Sequence, residues 1–82
     1  MAFLSLRSRA DRDQVKPGQS FRRREDAHLS ETATVLGLRE DWLGIPHVLF
    51  KIAIECSDST CFEEGSRILA LESFLDAYPE HI

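Results

Sequence analysis

Residues Trp42 to Cys56 read WLGIPHVLFKIAIEC, and no other stretch of the 82-residue chain is apolar enough to be fully buried. Whatever this chain folds into is built around that segment. Its polar members His47, Lys51 and Glu55 recur every four positions. As a helix, the segment has a thin polar stripe and is packed on its other sides by Val48, Leu49, Phe50, Ile52, Ala53 and Ile54. Pro46 then falls in the first turn, where its missing N–H costs nothing. The same residues also alternate as a strand does, with Val48, Phe50, Ile52 and Ile54 on one side and Leu49, Lys51, Ala53 and Glu55 on the other. A strand needs a partner, and residues 32–36 are the only other stretch that reads as one, unless two copies pair across a dimer. The helix is the primary reading.

Around this centre the pattern predicts two further helices. One begins near Glu25 and Asp26, whose charges suit the positive end of a helix dipole. It runs through Leu29, Thr32, Ala33 and Leu36 at helical spacing and ends in a left-handed cap at Gly37. The other begins after the polar turn at Ser57–Thr60, where Thr60 and Glu63 have capping-box spacing, and it stops at Pro79. Ile68, Leu71, Phe74, Leu75 and Tyr78 form its apolar stripe, while Phe62 and Leu69 fall nearly opposite and call for a second neighbour. The expected fold is therefore mostly α: a small three-helix domain over residues 25–82 behind a flexible basic N-terminal arm, residues 1–24. The alternative is an α+β fold in which residues 47–55 form a strand, paired within the chain or across a dimer.

A chain of this length buries only ~60% of the surface that its unfolded form exposes, so one domain is the limit. The net charge of −4 hides an asymmetry: residues 1–27 carry seven basic and four acidic side chains, residues 28–82 three and ten. Such an arm seeks an anionic partner or folds back on its own acidic body. The longest apolar run is too short to cross a bilayer, and Met1–Arg7 lacks the features of a secretory signal. These features predict a cytoplasmic protein with no membrane contact.

Four groups of residues invite a chemical reading. Cys56 and Cys61, with His28, His47 and His81, supply soft ligands, but one Cys-x4-Cys and scattered histidines do not match structural zinc spacing, and no metal is expected. The cysteine pair is instead two apolar thiols or a thiol-dependent switch. Arg22, Arg23 and Arg24 beside Phe21 are suited to gripping phosphates and stacking on a base, against the opposing acidic body. A helix-turn-helix register through Ala33, Gly37 and Leu38 would place Pro46 inside the second helix at a cost of ~3 kcal/mol. No nucleophile–base spacing, phosphate loop or dinucleotide fingerprint is present, so neither an enzyme nor a cofactor is expected. Finally, Glu63, Glu64, Glu72, Asp76 and Glu80 make the last helix acidic, a docking surface when joined to Phe62 and Leu69.

The resulting expectation is a small non-enzymatic regulatory or adaptor protein, a homodimer that also contacts a protein partner of basic surface. Its partner-binding residues are Phe62, Leu69, Trp42, Glu64, Glu72 and Asp76. The rival functions are a nucleic-acid-associated regulator using Arg22–Arg24 and a redox switch at Cys56 and Cys61.

Overall fold

The computed structural model describes residues 10–25, 29–56 and 62–82, and at residues 62–64 the backbone alone. It is a five-stranded antiparallel sheet with one short helix, which corrects the three-helix expectation. A 3-10 turn at Arg12–Gln14 precedes β1 (Ser20–Arg24), β2 (Leu29–Glu40), β3 (Pro46–Cys56), β4 (Phe62–Ala70), α1 (Leu71–Ala77) and β5 (Glu80–His81). The order across the sheet is β4-β3-β2-β1-β5, so the first four strands form a meander and the fifth closes the far edge beside β1. β4 and β5 run in the same direction, so the chain must return across the sheet between them, and α1 makes that return over one face. The molecule is correspondingly thin, 42 × 40 × 18 Å.

Side-chain alternation assigns the faces. In β3, Val48, Phe50 and Ile52 are buried while Lys51 and Glu55 are exposed. In β2, Ala33 and Val35 are buried, and these stand opposite Ile52 and Phe50. In β1, Phe21 is fully buried, flanked by Ala33 on β2 and His81 on β5. Leu71, Phe74 and Tyr78 close the core from the helix side. Phe74 is its hub, with ring centroids 5.4 Å from Phe21, 4.9 Å from Phe50 and 5.3 Å from Tyr78. Aromatic pairs at such distances contribute ~0.5–1.5 kcal/mol each beyond the area they bury.

Two bulges adjust the ladder. Val35 and Gly37 of β2 face the consecutive residues Phe50 and Leu49, leaving Leu36 as an extra residue. Ser66 and Glu63 of β4 face Lys51 and Ala53, so Glu64 and Gly65 together oppose Ile52. Each bulge sharpens the local twist and resets which face the following residues occupy.

The helical expectations fail for identifiable reasons. The central segment is β3, the strand alternative, and its partners β2 and β4 belong to the same chain rather than to a second copy. The first predicted helix is β2: Thr32, Thr34 and Val35 favour a pleated surface, and Gly37 is not in the left-handed region, which among the glycines only Gly18 and Gly44 occupy. Of the last predicted helix only Leu71–Ala77 is helical, while Phe62–Ala70 is strand. The expected start at Thr60 lies outside the described residues; α1 itself begins at Leu71, and its N-cap residue, Ala70, supplies no side-chain cap. Phe62 and Leu69 looked misplaced on a helical stripe because they belong to β4, opposite Ile54 and Val48. The flexible arm is also corrected within residues 10–24: Val15 and Phe21 are core residues, and β1 pairs with both β2 and β5.

Replacing Phe21 with alanine is expected to cost ~3–5 kcal/mol, because it opens a cavity against Phe74 at a site with no solvent exposure. Urea unfolding of the variant measures this. A loss below ~1 kcal/mol would place Phe21 outside the core.

Candidate functional site

The hairpin joining β2 to β3 carries the most exposed large hydrophobic side chain among the described residues. Asp41 builds its turn. One carboxylate oxygen, Oδ1, accepts the N–H groups of Leu43 at 2.8 Å and Ile45 at 3.0 Å, while the Asp41 backbone N–H donates to the Ile45 carbonyl at 3.1 Å. The Gly44 N–H returns to the Asp41 carbonyl at 2.9 Å, and Gly44 itself has φ 81°, a conformation that residues with a Cβ rarely adopt. The Ile45 N–H bond, helped by that of Leu43 and by the nearby His47, holds the Asp41 carboxyl below its ordinary pKa. His47 Nδ1 lies 2.9 Å from the Ile45 carbonyl and ties the turn to the start of β3.

On this ordered backbone Trp42 is 90% exposed and Leu43 63%. Ile45 and, farther back on β2, Leu36 and Leu38 add exposed apolar surface. None of these side chains supports the fold as Phe21 or Phe50 does. The tip therefore presents apolar groups outward on a backbone fixed by four hydrogen bonds.

A second feature lies at the far edge of the sheet. Because β5 is only two residues long, Arg23 and Arg24 of β1 extend past it. The C-terminal turn of α1 and Pro79 form the opposite wall of a cleft of about 410 Å³, lined also by Arg22, Asp76 and Glu80. Consecutive strand residues point to opposite faces, so the three arginines are split. Arg22 and Arg24 both approach Glu80 Oε1, at 3.0 and 3.6 Å. Arg23, on the core face, reaches Glu31 at 3.2 Å and Glu25 at 3.2 Å, the latter without the alignment of a hydrogen bond. Four carboxylates, at Glu25, Glu31, Asp76 and Glu80, thus meet three guanidiniums, a balance that offers little net attraction to a polyanion.

Beneath the cleft, the Tyr78 hydroxyl donates to Glu31 at 2.8 Å, and the Arg23 guanidinium lies 5.4 Å from the Tyr78 ring centre. Burial, followed by the bond to Glu31 and its charge, pushes the Tyr78 phenol from its ordinary value of 10.0 up to about 12, against the pull of Arg23 and Arg67. This network seals one end of the core.

The remaining residues singled out by the sequence are scattered. Leu69 packs half-buried against the core. Phe62 and Glu64 lie on β4, and their side chains are outside the description. Glu72 sits in the first turn of α1, 3.2 Å from Arg12, and Asp76 lines the arginine cleft. The acidic residues expected on one helix are thus divided among β4, α1 and β5. Cys56 ends β3 opposite Leu29 as a half-buried free thiol, while Cys61 lies outside the described residues. No three His, Cys, Asp or Glu side chains gather into a metal-binding group among the described residues, and no described helix is long and apolar enough to cross a membrane. The sequence reading named Trp42 but missed Leu43, Ile45 and the bracing by Asp41. Their signal was an Asp and a Gly three residues apart, between two alternating runs.

Comparison with protein-family models, with curated proteins and with solved structures gives no match.

Tyr78 is the chain's only tyrosine, so its ionisation can be followed directly. Its phenolate absorbance is expected to rise near pH 12 in the folded protein, where a free tyrosine titrates at 10. Since the folded value is raised, the stability this group contributes is complete below pH 10 and disappears between pH 10 and 12. Tyr78→Phe should remove that part of the alkaline decline while costing ~1 kcal/mol at neutral pH. A midpoint near 10 in the folded protein would refute the assignment.

Proposed function

We propose that this protein is a small non-enzymatic binding module, regulatory or adaptor in role, which engages a protein partner through the β2–β3 hairpin with Trp42 as its anchor. The observation that carries this reading is the 90% exposure of Trp42 on a turn fixed by Asp41. A large apolar ring held in water contributes little to its own fold, yet tryptophan is among the residues that dominate binding energy when a partner buries them. Burying ~200 Å² of this ring at ~25 cal/mol/Å² supplies ~5 kcal/mol, and the ordered turn limits the entropy lost on docking. Leu43 and Ile45 widen the apolar contact.

Glu40 and Asp41 immediately precede the anchor, which favours a pocket with a basic rim, because opposite charges speed encounter and set orientation. Arg22–Arg24, each already beside a carboxylate, give the nucleic-acid alternative no comparable support. The setting we propose is the cytoplasm, a reducing compartment suited to the free thiol of Cys56.

A photo-reactive amino acid at position 42 tests this reading by identifying the protein to which it crosslinks in cells. The purified partner is then titrated with wild-type protein and Trp42→Ala. The variant should melt within ~0.5 kcal/mol of wild type. It should bind at least ~30-fold more weakly, corresponding to ~2 kcal/mol at a central contact. Trp42 is the chain's only tryptophan, so its emission should shift to the blue on binding. Equal affinity of wild type and variant, or an unshifted emission, would overturn the proposal.

A further inference from the structure

The β4 edge is the longest open edge of the sheet. β4 is outermost, and among the described residues β3 is the one strand paired with it. The opposite edge is only two residues long. It is further tied by the Ala10 N–H to the Pro79 carbonyl and by the Ile82 N–H to the Ser20 carbonyl. Edge strands are usually blunted by bulges, prolines or lysines. β4 has a bulge at Glu64 and Gly65, but the five residues from Ser66 to Ala70 are regular, contain no proline or lysine, and carry a single charge, at Arg67. Ile68, at their centre, is 49% exposed.

We infer that two copies of this chain join at Ser66–Ala70 of β4, antiparallel about a two-fold axis through Ile68, to form one continuous ten-stranded sheet. The register follows from what the strand places opposite itself. With the axis at Ile68, the two Ile68 side chains face each other, Arg67 stands opposite Leu69 of the second copy, and Ser66 opposite Ala70. The two Arg67 side chains then stand diagonally on one face instead of directly opposite, where like charges repel most. An axis at Arg67 sets two guanidiniums opposite each other, which opposes pairing. An axis at Ser66 or Gly65 draws the bulge into the pair, so residues on different faces would have to match. An axis at Leu69 runs into the start of α1.

A second copy also suits the outer face. Ile68 and Leu49 are cross-strand neighbours there. Two-fold pairing brings the two Ile68–Leu49 pairs together into one apolar strip across the joint. A self-complementary patch is what a closed two-fold dimer requires, whereas an unrelated extended peptide would have no reason to match Ile68 with itself. This interface is separate from the hairpin tip and stands or falls independently of it.

The test combines mass and crosslinking. Wild-type protein should have twice its chain mass of 9.3 kDa by light scattering at micromolar concentration. Ile68→Lys, which sets two ammonium groups opposite each other at an exposed position, should halve that mass while leaving the melting transition in place. Trp42→Ala should leave the mass doubled. In a Cys56→Ser, Cys61→Ser background, Ile68→Cys should form a disulfide-linked dimer under mild oxidation. Ser66→Cys should do so only when combined with Ala70→Cys. If Ile68→Lys does not fold, the crosslinks decide alone. A monomeric wild type, a dimer insensitive to Ile68→Lys, or crosslinking through position 42 but not 68 would overturn the inference.

Discussion

The contact of Phe74 with Phe21 and Phe50 is the interaction on which the rest of the structure depends. A single sheet with one short helix has only one buried face, and seven residues of α1 must cover the centre of a surface five strands wide. Phe74 does this by bridging β1 and β3 across β2, where Ala33 keeps the intervening surface low. The small residue on the middle strand and the large residues on its neighbours form a recess into which one ring fits. Tyr78 then extends the aromatic cluster to the sheet's end, where its hydroxyl and Glu31 let the core finish on a satisfied polar pair.

How the sequence concealed this fold follows from arithmetic at particular residues. His47, Lys51 and Glu55 recur every four positions, and four is a multiple of the strand period as well as close to the helical one. The stripe they form is the solvent face of β3, and the spacing that favoured a helix carried no information between the two. The β-branched residues Val48, Ile52 and Ile54 did carry it, as did Thr32, Thr34 and Val35 in β2. Bulges hid more. At Leu36 and at Glu64–Gly65 the alternation slips by one residue, so β2 and β4 read as irregular when they are long strands. Only the helical end of the last segment survived, because Leu71, Phe74 and Tyr78 keep their spacing on α1 and on the turn that follows it.

The candidate sites were legible to different degrees. Trp42 stood out by residue type, and Asp41 and Gly44 contained the turn chemistry that presents it. The arginine run was visible but its disposition was not, since three consecutive residues on a strand divide between two faces and each found a carboxylate distant in sequence. Neither Glu31 nor Glu80 sits where local spacing would link it to Arg22–Arg24. Once an element is assigned as a strand, a charge cluster in sequence becomes two half-clusters in space.

The brevity of β5 has a consequence for how the molecule comes into being. β1 is made early, yet the strand that closes its outer side arrives only after the rest of the sheet, with Arg22 and Glu80 separated by 58 positions. At ~5–20 residues per second, a ribosome takes several seconds to bridge that interval. Throughout it Phe21 has neither Phe74 nor His81 against it, because α1 and β5 emerge together. The meander can pair strand by strand as it is synthesised, but its apolar face stays uncovered until a final segment of about a dozen residues lays down the helix and the last strand in one step. Assembly of this sheet is thus gradual along its width and abrupt across its thickness.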